Sequence, residues 1–368
     1  MPSRLLRLLA LLLCIGAAST APAAAASPVR HVFVLVLENQ NASTTFGPGS
    51  PAPYLATTLT SAGAFVPGYY GIGHNSLDNY IAMVSGQAPT VATQGDCPDF
   101  IDVLPGTPTS DGQVLGQGCV YPASVQTVAG QLQARGLTWK GYMEDMGNNP
   151  VRDNGVTCAH PAIGSPDGTQ QATATDQYAT RHNPFVYFHS IIDNPAGCQA
   201  RDVPLSRLPT DLASVKSTPN LSFITPNLCH DGHDATCADG TAGGLPAADA
   251  FLRQWVPQIT ASPAFQRDGL LVIAFDEAAS DSTACCGEQS GPNTPAAGGP
   301  MGGAGGGRTG AVLLSPFIAP GTVSAQDYNH YSLLRSIEDS FGLAHLGYAA
   351  APGLRAFGGD IFTASSTK

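Results

Sequence analysis

The sequence is poor in charged residues and lacks several short motifs that would assign a common biochemical class. Charged side chains make up only 12% of the 368 residues, and the formal net charge is −11. This acidic balance argues against binding to nucleic acids or to anionic membranes. The glycine-rich stretch at 298–307 has no Gly-Lys-Ser/Thr ending, which excludes a phosphate-binding P-loop there. No C-x-x-C pair occurs, which disfavours a zinc cluster without removing it as an alternative.

Long hydrophobic runs are also absent after the N-terminus. Arg4 and Arg7 precede a Leu/Ala-rich stretch at 8–18, and small residues follow, so residues 1–26 are predicted to be a secretory signal peptide. That stretch is short for a membrane span and no later one resembles a span, so we expect no stable membrane insertion. The remaining residues, 27–368, contain no Pro/Ser-rich linker and are predicted to form a single domain outside the cytoplasmic membrane. The oligomeric state is left open.

Eight cysteines remain once Cys14 is removed with the signal peptide, and an even number in an exported chain favours disulfides. They are Cys97, Cys119, Cys158, Cys198, Cys229, Cys237, Cys285 and Cys286. Two pairings, Cys97–Cys119 and Cys229–Cys237, are predicted because each would close a local loop. The adjacent Cys285 and Cys286 are expected to pair elsewhere.

Strand-like and helix-like patterns alternate along the chain, which predicts an α/β fold with a mostly parallel sheet and helices on both faces. The predicted strands are 31–37, 64–69, 137–143, 221–225, 270–275 and 311–314. The predicted helices are 53–62, 79–84, 125–135, 247–259 and 331–341. Residues 280–310, rich in Gly, Ser and Pro, are predicted to be a mobile loop.

Two of the predicted strands end in a pair of oxygen ligands. Glu38-Asn39 follows the apolar run 31–37, and Asp276-Glu277 follows the run 270–275. Ligand sites in open α/β sheets lie where the strands end, and carboxylate and amide oxygens suit a divalent cation. One such pair alone is equally typical of a turn or a helix N-cap. The repetition predicts a metal site at the carboxyl edge of one sheet.

Four polar segments, at 73–80, 181–185, 226–234 and 327–332, are dense in His, Asp and Asn. Within the first, Ser76 lies near a predicted helix start, where N–H groups attract an anion and a metal lowers the hydroxyl pKa. An ordinary N-cap serine is the alternative. Imidazoles at His230, His233 and His330 are candidates to bind phosphate oxygens, protonate a leaving alkoxide or hold a second metal. A purely structural role remains open for each.

Six motifs in order resemble one known family. They are Glu38-Asn39 with Phe46-Gly47, His74-x-Ser76-x-x-Asn79-Tyr80, Asp231-Gly-His233-Asp234, Asp276-Glu277, Ser315-Pro316 and Asn329-His330-Tyr331-Ser332. The chain is similar to the bacterial phosphoesterase family of AcpA-type acid phosphatases and non-specific phospholipases C. Its length and serine motif look most like the small SapM-like secreted acid phosphatases. The resemblance spans residues 31–350.

The resemblance implies an alkaline-phosphatase-like three-layer sandwich and a divalent cation of open identity. It implies that Glu38, Asn39, Asp276 and Glu277 bind the metal, with Ser76 as both ligand and nucleophile. The other implied catalytic residues are His233, His330 and Asp231, and the expected substrate-binding residues are His74, Asn79, His182 and His230. Asn75 and Asp78 depart from the prolines common in the serine motif, and Asp78 adds negative charge near the expected anion site.

The predicted function is a secreted, metal-dependent acid phosphatase that hydrolyses phosphate monoesters through a phosphoserine, acting on a small phosphate ester or a phospholipid head group. A phospholipase C-type phosphodiesterase is the alternative. A sulfatase would need Cys or Ser followed by x-Pro-x-Arg, which does not occur. A Ser-His-Asp acyl hydrolase would want glycines around Ser76 and leaves the acidic pairs without a role. A secreted binding protein that keeps this fold without catalysis is a further alternative. Such a protein would be expected to lack a metal ligand or the serine, and this sequence has both.

Overall fold

The computed structural model describes residues 28–299 and 303–363, and the predicted signal peptide lies outside them. Its core is one eight-stranded sheet with the strand order β8-β2-β7-β6-β1-β5-β3-β4. The strands are β1 (His31–Leu37), β2 (Ala64–Val66), β3 (Trp139–Met143), β4 (Asp202–Pro204), β5 (Leu221–Thr225), β6 (Gly269–Phe275), β7 (Ala311–Leu314) and β8 (Thr322–Val323). The run from β6 to β4 is parallel, whereas β7 is antiparallel to both β6 and β2.

Helices cover both faces of this sheet. The longer ones are α1 (Ser76–Ser85), α2 (Val128–Ala134), α3 (Gly244–Ala261), α4 (Pro263–Asp268) and α5 (His330–Phe341). Shorter helical segments are Ala42–Phe46, Tyr54–Leu59, Thr60–Ala62, Thr93–Gly95, Thr180–His182, Pro184–Tyr187, His189–Ile192, Pro195–Gln199, Leu205–Arg207, Leu208–Asp211 and Gly347–Ala350. Three two-stranded pairs lie outside the main sheet: Tyr69–Tyr70 with Tyr328–Asn329, Asp99–Phe100 with Ser165–Pro166, and Leu104–Pro108 with Val114–Gln117.

The sequence of β1 explains the three layers. Its residues alternate between the two faces of the sheet, and all seven are buried because both faces are covered. Val32, Val34 and Val36 pack in the core that contains α1, α2 and α5. Phe33, Leu35 and Leu37 pack in the second core, with α3 and α4. The predicted α/β architecture with helices on both faces is therefore confirmed.

Most predicted elements occur, with two informative shifts. The strand predicted at 64–69 divides into β2 and the separate pair at Tyr69–Tyr70. Pro67, which has no N–H to donate to a ladder, lies between the two parts. The helix predicted from residue 79 begins three residues earlier, at Ser76, and ends at Gly86 with φ of 70°, a left-handed conformation that favours glycine.

The disulfides confirm two pairing predictions and correct a third. Cys97–Cys119 and Cys229–Cys237 are joined as predicted, and Cys158–Cys198 forms a further bond. Cys285 and Cys286 bond to each other, so the expectation that they pair elsewhere is wrong. The other six described cysteines pair among themselves and leave these two only each other. Within the described ranges, no helix has both the length and the apolarity needed to cross a bilayer.

Candidate active site

The two acidic strand ends meet at one edge of the sheet. β1 and β6 are adjacent parallel strands in which Leu37 is level with Phe275, so the next residues, Glu38 and Asp276, emerge side by side. The Asp276 N–H donates to Leu37 O at 2.9 Å. The Asn39 N–H donates to Asp276 Oδ1 at 3.0 Å. Because the two strands are parallel and in register, the two sequence motifs form one cluster of buried oxygen atoms, the Glu38 cluster.

Ser76 joins this cluster from the first residue of α1. Its Oγ donates to Glu38 Oε2 at 2.5 Å, and the hydroxyl of Tyr80, one turn later, donates to Glu38 Oε1. Glu38 and Ser76 are both buried, so this carboxylate holds the serine hydroxyl in one position away from bulk water. Asn75, immediately before Ser76, has φ of 71° and ψ of 151°, a backbone conformation that is rare for residues other than glycine.

The side chain of Asn79 forms hydrogen bonds to the backbone of residues 71–75, the serine loop, which leads into Ser76. Its Oδ1 accepts from the N–H groups of Ile72 and Gly73 at 2.7 and 3.2 Å. Its Nδ2 donates to the carbonyls of Gly73 and Asn75, both at 3.0 Å. In this structure the amide therefore contacts the loop backbone, and the predicted contact of Asn79 with substrate stays a prediction.

His182 and Asp231 close the cluster on the β5 side. His182 Nε2 lies 3.4 Å from Glu38 Oε2, and His182 Nδ1 lies 4.0 Å from Asp231 Oδ2. The imidazole stacks on Tyr80 with 5.3 Å between ring centroids. Neither ring nitrogen has a hydrogen-bond partner within the described ranges, although the residue is only 3% exposed. The Asp231 carbonyl accepts from Glu38 N–H at 2.9 Å. This bond ties residues 226–234, the β5 loop, to the end of β1.

The remaining predicted histidines occupy different positions. His74 pairs through Nδ1 with the Glu277 carboxylate and lies 3.0 Å from Ser282 Oγ through Nε2. His330 is fully buried, with Nε2 2.5 Å from the Asp276 carbonyl oxygen and Nδ1 3.1 Å from the Tyr69 hydroxyl.

Two histidines of the β5 loop face solvent to different degrees. His233 is half exposed, and its backbone N–H donates to Asp231 Oδ1 at 2.9 Å. His230 lies 3.0 Å from both oxygens of Glu144, and this hydrogen bond raises its pKa. The polar contacts of the His230 imidazole therefore lie outside the Glu38 cluster.

Burial of several carboxylates together sets the electrostatics of the site. Burial is the main cause that raises the pKa of Glu38, Asp231, Asp276 and Glu277, with Asp276 at about 6 and Glu277 at about 10. The charge of Asp276 further raises the pKa of the other three. Burial also raises the pKa of Asp78, which lies beside the serine loop as its sequence position suggested. Conversely, burial lowers the pKa of His182, so its neutral form is favoured.

The oxygen atoms present fit a divalent cation. Asn39 Oδ1, Asp231 Oδ2 and Asp276 Oδ2 are buried without a hydrogen-bond partner among the described residues, and an unpartnered buried oxygen is costly. Mutual repulsion among buried carboxylates is relieved when a cation lies between them. The donors are carboxylate, amide and hydroxyl oxygens, which suit hard cations such as Mg²⁺, Ca²⁺ or Mn²⁺. Among the described residues, the compact Cys158–Cys198–Asp202 group offers no comparable site, because its two sulfur atoms form a disulfide.

The glycine-rich segment lies directly against the serine loop, with residues 300–302 outside the described part. The Gly306 N–H donates to Gly71 O at 3.2 Å, and the Ala278 N–H donates to Gly306 O at 2.8 Å. A Cβ on Gly306 would lie 2.5 Å from Gly73 O. Glycine is therefore required where this segment passes between the serine loop and the Asp276-Glu277 strand end.

Three residues of the site received no role from sequence reasoning. Tyr80 was present in the serine motif, but its bond to Glu38 depends on the angle at which α1 meets β1. Asp96 accepts from the Leu77 N–H at 3.0 Å, and Arg181 Nε lies 3.7 Å from Asp96 Oδ2. Arg181 immediately precedes His182 in a segment already singled out for its polarity, and that adjacency was the available signal.

Comparison with solved structures defines the class of fold. The structure superposes on the crystal structure of Ps i-CgsB with a TM-score of 0.51 at 12% identity, covering 92% of this chain and 77% of that one. At that identity the likeness shows the fold alone. The predicted α/β sandwich with a mostly parallel central sheet is confirmed.

The family follows from the sequence. The model of the Phosphoesterase family matches residues 49–344, so the chain belongs to this family of hydrolases that act on phosphoric ester bonds. It is 25% identical over 293 residues to an acid phosphatase of Aspergillus fumigatus, covering 78% of this chain and 51% of that protein. It is also 25% identical over 340 residues to a phosphatidylinositol-3-phosphatase of Mycobacterium tuberculosis, covering 92% and 86%. The chain spans about half the length of the Aspergillus fumigatus and Penicillium chrysogenum acid phosphatases it matches.

Proposed function

We propose that this protein is an exported acid phosphatase that hydrolyses phosphate monoesters with Ser76 as the nucleophile and with a divalent cation. The observation that carries the proposal is the 2.5 Å hydrogen bond from Ser76 Oγ to Glu38 Oε2 at the start of α1. A hydroxyl oriented by a buried carboxylate, at a helix N-terminus and beside metal-binding oxygens, is suited to attack phosphorus.

The proposed cation is bound by Glu38, Asn39, Asp276 and Glu277 together with Ser76 Oγ. When bound, such a cation lowers the pKa of a coordinated hydroxyl and offsets negative charge on the phosphoryl oxygens. The unpartnered oxygens of Asn39 and Asp276 support this assignment. Its identity among Ca²⁺, Mg²⁺, Mn²⁺ and Zn²⁺ is not part of the proposal.

The proposed reaction takes place in two displacements at phosphorus. The Ser76 hydroxyl proton moves toward Glu38 Oε2, a bond forms between Ser76 Oγ and phosphorus, and the bond from phosphorus to the ester oxygen breaks. A water oxygen then forms a bond to phosphorus, the bond from phosphorus to Ser76 Oγ breaks, the proton on Glu38 returns to Ser76 Oγ, and inorganic phosphate leaves. Asp231 accepts from the backbone N–H of His233 and faces His182, so it is proposed to orient these two histidines.

We assign protonation of the leaving alkoxide to His233 in preference to His330. His233 is half exposed and is tied to the cluster through its N–H, which donates to Asp231 Oδ1, so its imidazole can exchange protons with water. Both ring nitrogens of His330 are engaged, and burial lowers its pKa to about 4. His330 is therefore proposed to position Asp276. The ring nitrogens of His182 have no hydrogen-bond partner among the described residues, which supports a direct contact with the substrate. We propose that His74, Asn79 and His230 also bind the substrate.

The proposed substrate class is a phosphate monoester, either a small ester or a phospholipid head group. The match over 86% of the M. tuberculosis phosphatidylinositol-3-phosphatase supports the small SapM-like subtype and makes a phosphoinositide monoester a candidate. We also propose that residues 27–368 form one exported domain, which the four disulfides support.

The test is hydrolysis of p-nitrophenyl phosphate across pH by wild type, Ser76→Ala and Ser85→Ala, with and without a chelator. Ser85 is also buried on α1, but its Oγ donates to Ile81 O, so Ser85→Ala is a matched control. We expect chelator-sensitive turnover that is lost only in Ser76→Ala. Near-normal turnover in Ser76→Ala would contradict the mechanism. Hydrolysis of phosphatidylcholine or bis-p-nitrophenyl phosphate without monoester turnover would establish the phospholipase C-type alternative.

A further inference from the structure

Arg181 is an arginine that lies beside the carboxylates of the site. Six carboxylates lie in or beside the cluster: Glu38, Asp78, Asp96, Asp231, Asp276 and Glu277. Within residues 28–299 and 303–363, Arg181 is the only Lys or Arg with a side-chain nitrogen within 4.0 Å of any of these carboxylates. A phosphate monoester brings up to two further negative charges, so a positive charge that contacts the phosphoryl group matters here more than in a neutral pocket.

The contacts of Arg181 leave much of its donor capacity unused. Nη1 lies 3.4 Å from the carbonyl oxygens of Thr169 and Gln170, and Nε lies 3.7 Å from Asp96 Oδ2. All three distances are long for charged hydrogen bonds, which are about 2.7–2.9 Å, and Nη2 has no hydrogen-bond partner within residues 28–299 and 303–363. The side chain is nevertheless only 12% exposed. The guanidinium therefore lies near the site with N–H donors still available for a ligand.

Asp96 occupies the contacts that an anion at this site would be expected to make. Its Oδ1 accepts from the Leu77 N–H, in the first turn of α1 and next to Ser76, at 3.0 Å, and its Oδ2 faces Arg181. Asp96 itself has φ of 56°, an uncommon conformation for a residue other than glycine. The Cys97–Cys119 disulfide follows immediately. A carboxylate at a helix start beside an arginine has the same chemistry as a bound phosphoryl oxygen.

A second observation indicates that a ligand enters at this point. His182, the residue after Arg181, is 3% exposed, and neither of its ring nitrogens has a hydrogen-bond partner in the part of the chain that the structure describes. Its Nε2 is directed at Glu38 Oε2, the same oxygen that accepts from Ser76 Oγ. An unpartnered buried imidazole is costly unless a ligand uses it.

We propose that Arg181 binds the non-bridging phosphoryl oxygens of the substrate, and that Asp96 occupies the Arg181 and Leu77 N–H contacts until the phosphoryl group displaces it. This inference rests on the proposed function. It makes Arg181 a residue that favours monoesters over diesters, because the second negative charge of a monoester gains most from a guanidinium. Asp96 has the opposite effect, since its negative charge competes with the phosphoryl group.

The experiment measures two quantities in the metal-loaded full chain for wild type, Arg181→Gln, Arg181→Lys and Asp96→Asn. The first is the Kd of inorganic phosphate by calorimetry, and the second is the KM and kcat for p-nitrophenyl phosphate and for bis-p-nitrophenyl phosphate. Arg253→Gln is the matched control, because Arg253 also pairs with a buried aspartate, Asp249, but on α3 across the sheet. Thermal melting establishes that each variant is folded.

We expect Arg181→Gln to raise the phosphate Kd and the monoester KM about 10- to 100-fold, with a smaller change in kcat and in the diester KM. Arg181→Lys should recover part of the loss, and Asp96→Asn should tighten phosphate binding several-fold. An unchanged phosphate Kd in folded Arg181→Gln would overturn the inference, as would equal losses for monoester and diester. Weaker phosphate binding in Asp96→Asn would overturn the displacement by substrate. If wild type hydrolyses no phosphate ester the proposed function fails, whereas the phosphate titration still decides the role of Arg181.

Discussion

Ser76 and Tyr80, one turn apart on α1, donate hydrogen bonds to opposite oxygens of the Glu38 carboxylate. Residues four apart lie on the same face of a helix, so the helix presents both hydroxyls to the end of β1 at once. Two short bonds from one rigid element fix both the position and the orientation of Glu38. The proposed nucleophile and the proposed metal ligand are therefore aligned by the same helix.

Replacing Tyr80 by Phe tests this alignment. We expect kcat to fall about 10- to 100-fold because Glu38 loses one of its two orienting bonds. We also expect the free energy of unfolding to fall by about 1–3 kcal/mol, since a buried acceptor loses its donor. The measurements are p-nitrophenyl phosphate kinetics and urea denaturation.

Tyr142→Phe is the control for that change. The buried Tyr142 hydroxyl donates to Asp211 Oδ2 at 2.8 Å, away from the Glu38 cluster. We expect a similar loss of stability with unchanged kcat. A Tyr80→Phe variant that loses stability but keeps full kcat would show that the second bond to Glu38 has no part in catalysis.

The strand ends of the site were predictable because their signal is local. Six consecutive apolar residues followed by an acid indicate a buried parallel strand, and the carboxyl ends of such strands meet at one edge. Glu38 and Asp276 are therefore placed together by a pattern that needs no knowledge of the loops.

The contacts of Tyr80, Asp96 and Arg181 were not predictable, because each joins segments that only packing brings together. Asp96 and Arg181 are 85 positions apart in the sequence, one directly after a three-residue helical segment and the other within one, and neither segment has a periodic signal. The bond between Cys285 and Cys286 was missed for a related reason. Local loop closure favours distant partners over adjacent ones, and only the pairing of the other six cysteines reveals the outcome.

Stability of the site is expected to depend jointly on pH and on the cation. Burial raises the pKa of Asp276 to about 6, so the metal-free folded state binds this proton more tightly than the unfolded state. The stability contributed by that proton is present below about pH 4 and is lost as the pH rises through about 6. A bound cation instead favours the carboxylate form. The melting temperature of the metal-loaded protein should therefore exceed that of the chelated protein by more at pH 7 than at pH 4.5.

The matched variants for that measurement are Asp276→Asn and Asp339→Asn. The first removes a proposed ligand and should abolish the cation-dependent increase in melting temperature. The second removes a carboxylate on α5 that pairs with His345 and should leave the increase intact. A difference between loaded and chelated protein that is constant from pH 4.5 to 7 would contradict the assignment of Asp276 as a ligand.

Glu338 offers a separate test of a buried carboxylate outside the site. It is fully buried on α5. One carboxylate oxygen accepts from the Leu346 N–H at 2.9 Å, and the other has no hydrogen-bond partner among the described residues. Burial raises its pKa to about 8, so the stability it contributes falls as the pH rises from about 4.5 to about 8. Glu338→Gln keeps an acceptor for Leu346 without a titrating group. We expect it to be more stable than wild type by about 1–3 kcal/mol at pH 8.5 and not at pH 4.5.

Urea denaturation at both pH values measures the effect of Glu338→Gln. Asp339→Asn, at the next and half-exposed position, should show no such pH-dependent gain. A gain of equal size at both pH values would mean that the amide improves packing or hydrogen bonding rather than removing a buried charge.

The disulfides should stabilise the fold in the order of the loops they close. Cys158–Cys198 spans 40 residues, Cys229–Cys237 spans 8, and Cys285–Cys286 joins neighbours. Restricting the unfolded chain gives about 4 kcal/mol for the first and about 2.5 kcal/mol for the second. The adjacent pair restricts almost no loop, so its paired serine variant should unfold at nearly the wild-type urea concentration. Paired alanine variants of the other two should lose stability in the stated order. A larger loss for Cys285/Cys286 than for Cys158/Cys198 would show that the adjacent pair stabilises the folded loop beside the site directly.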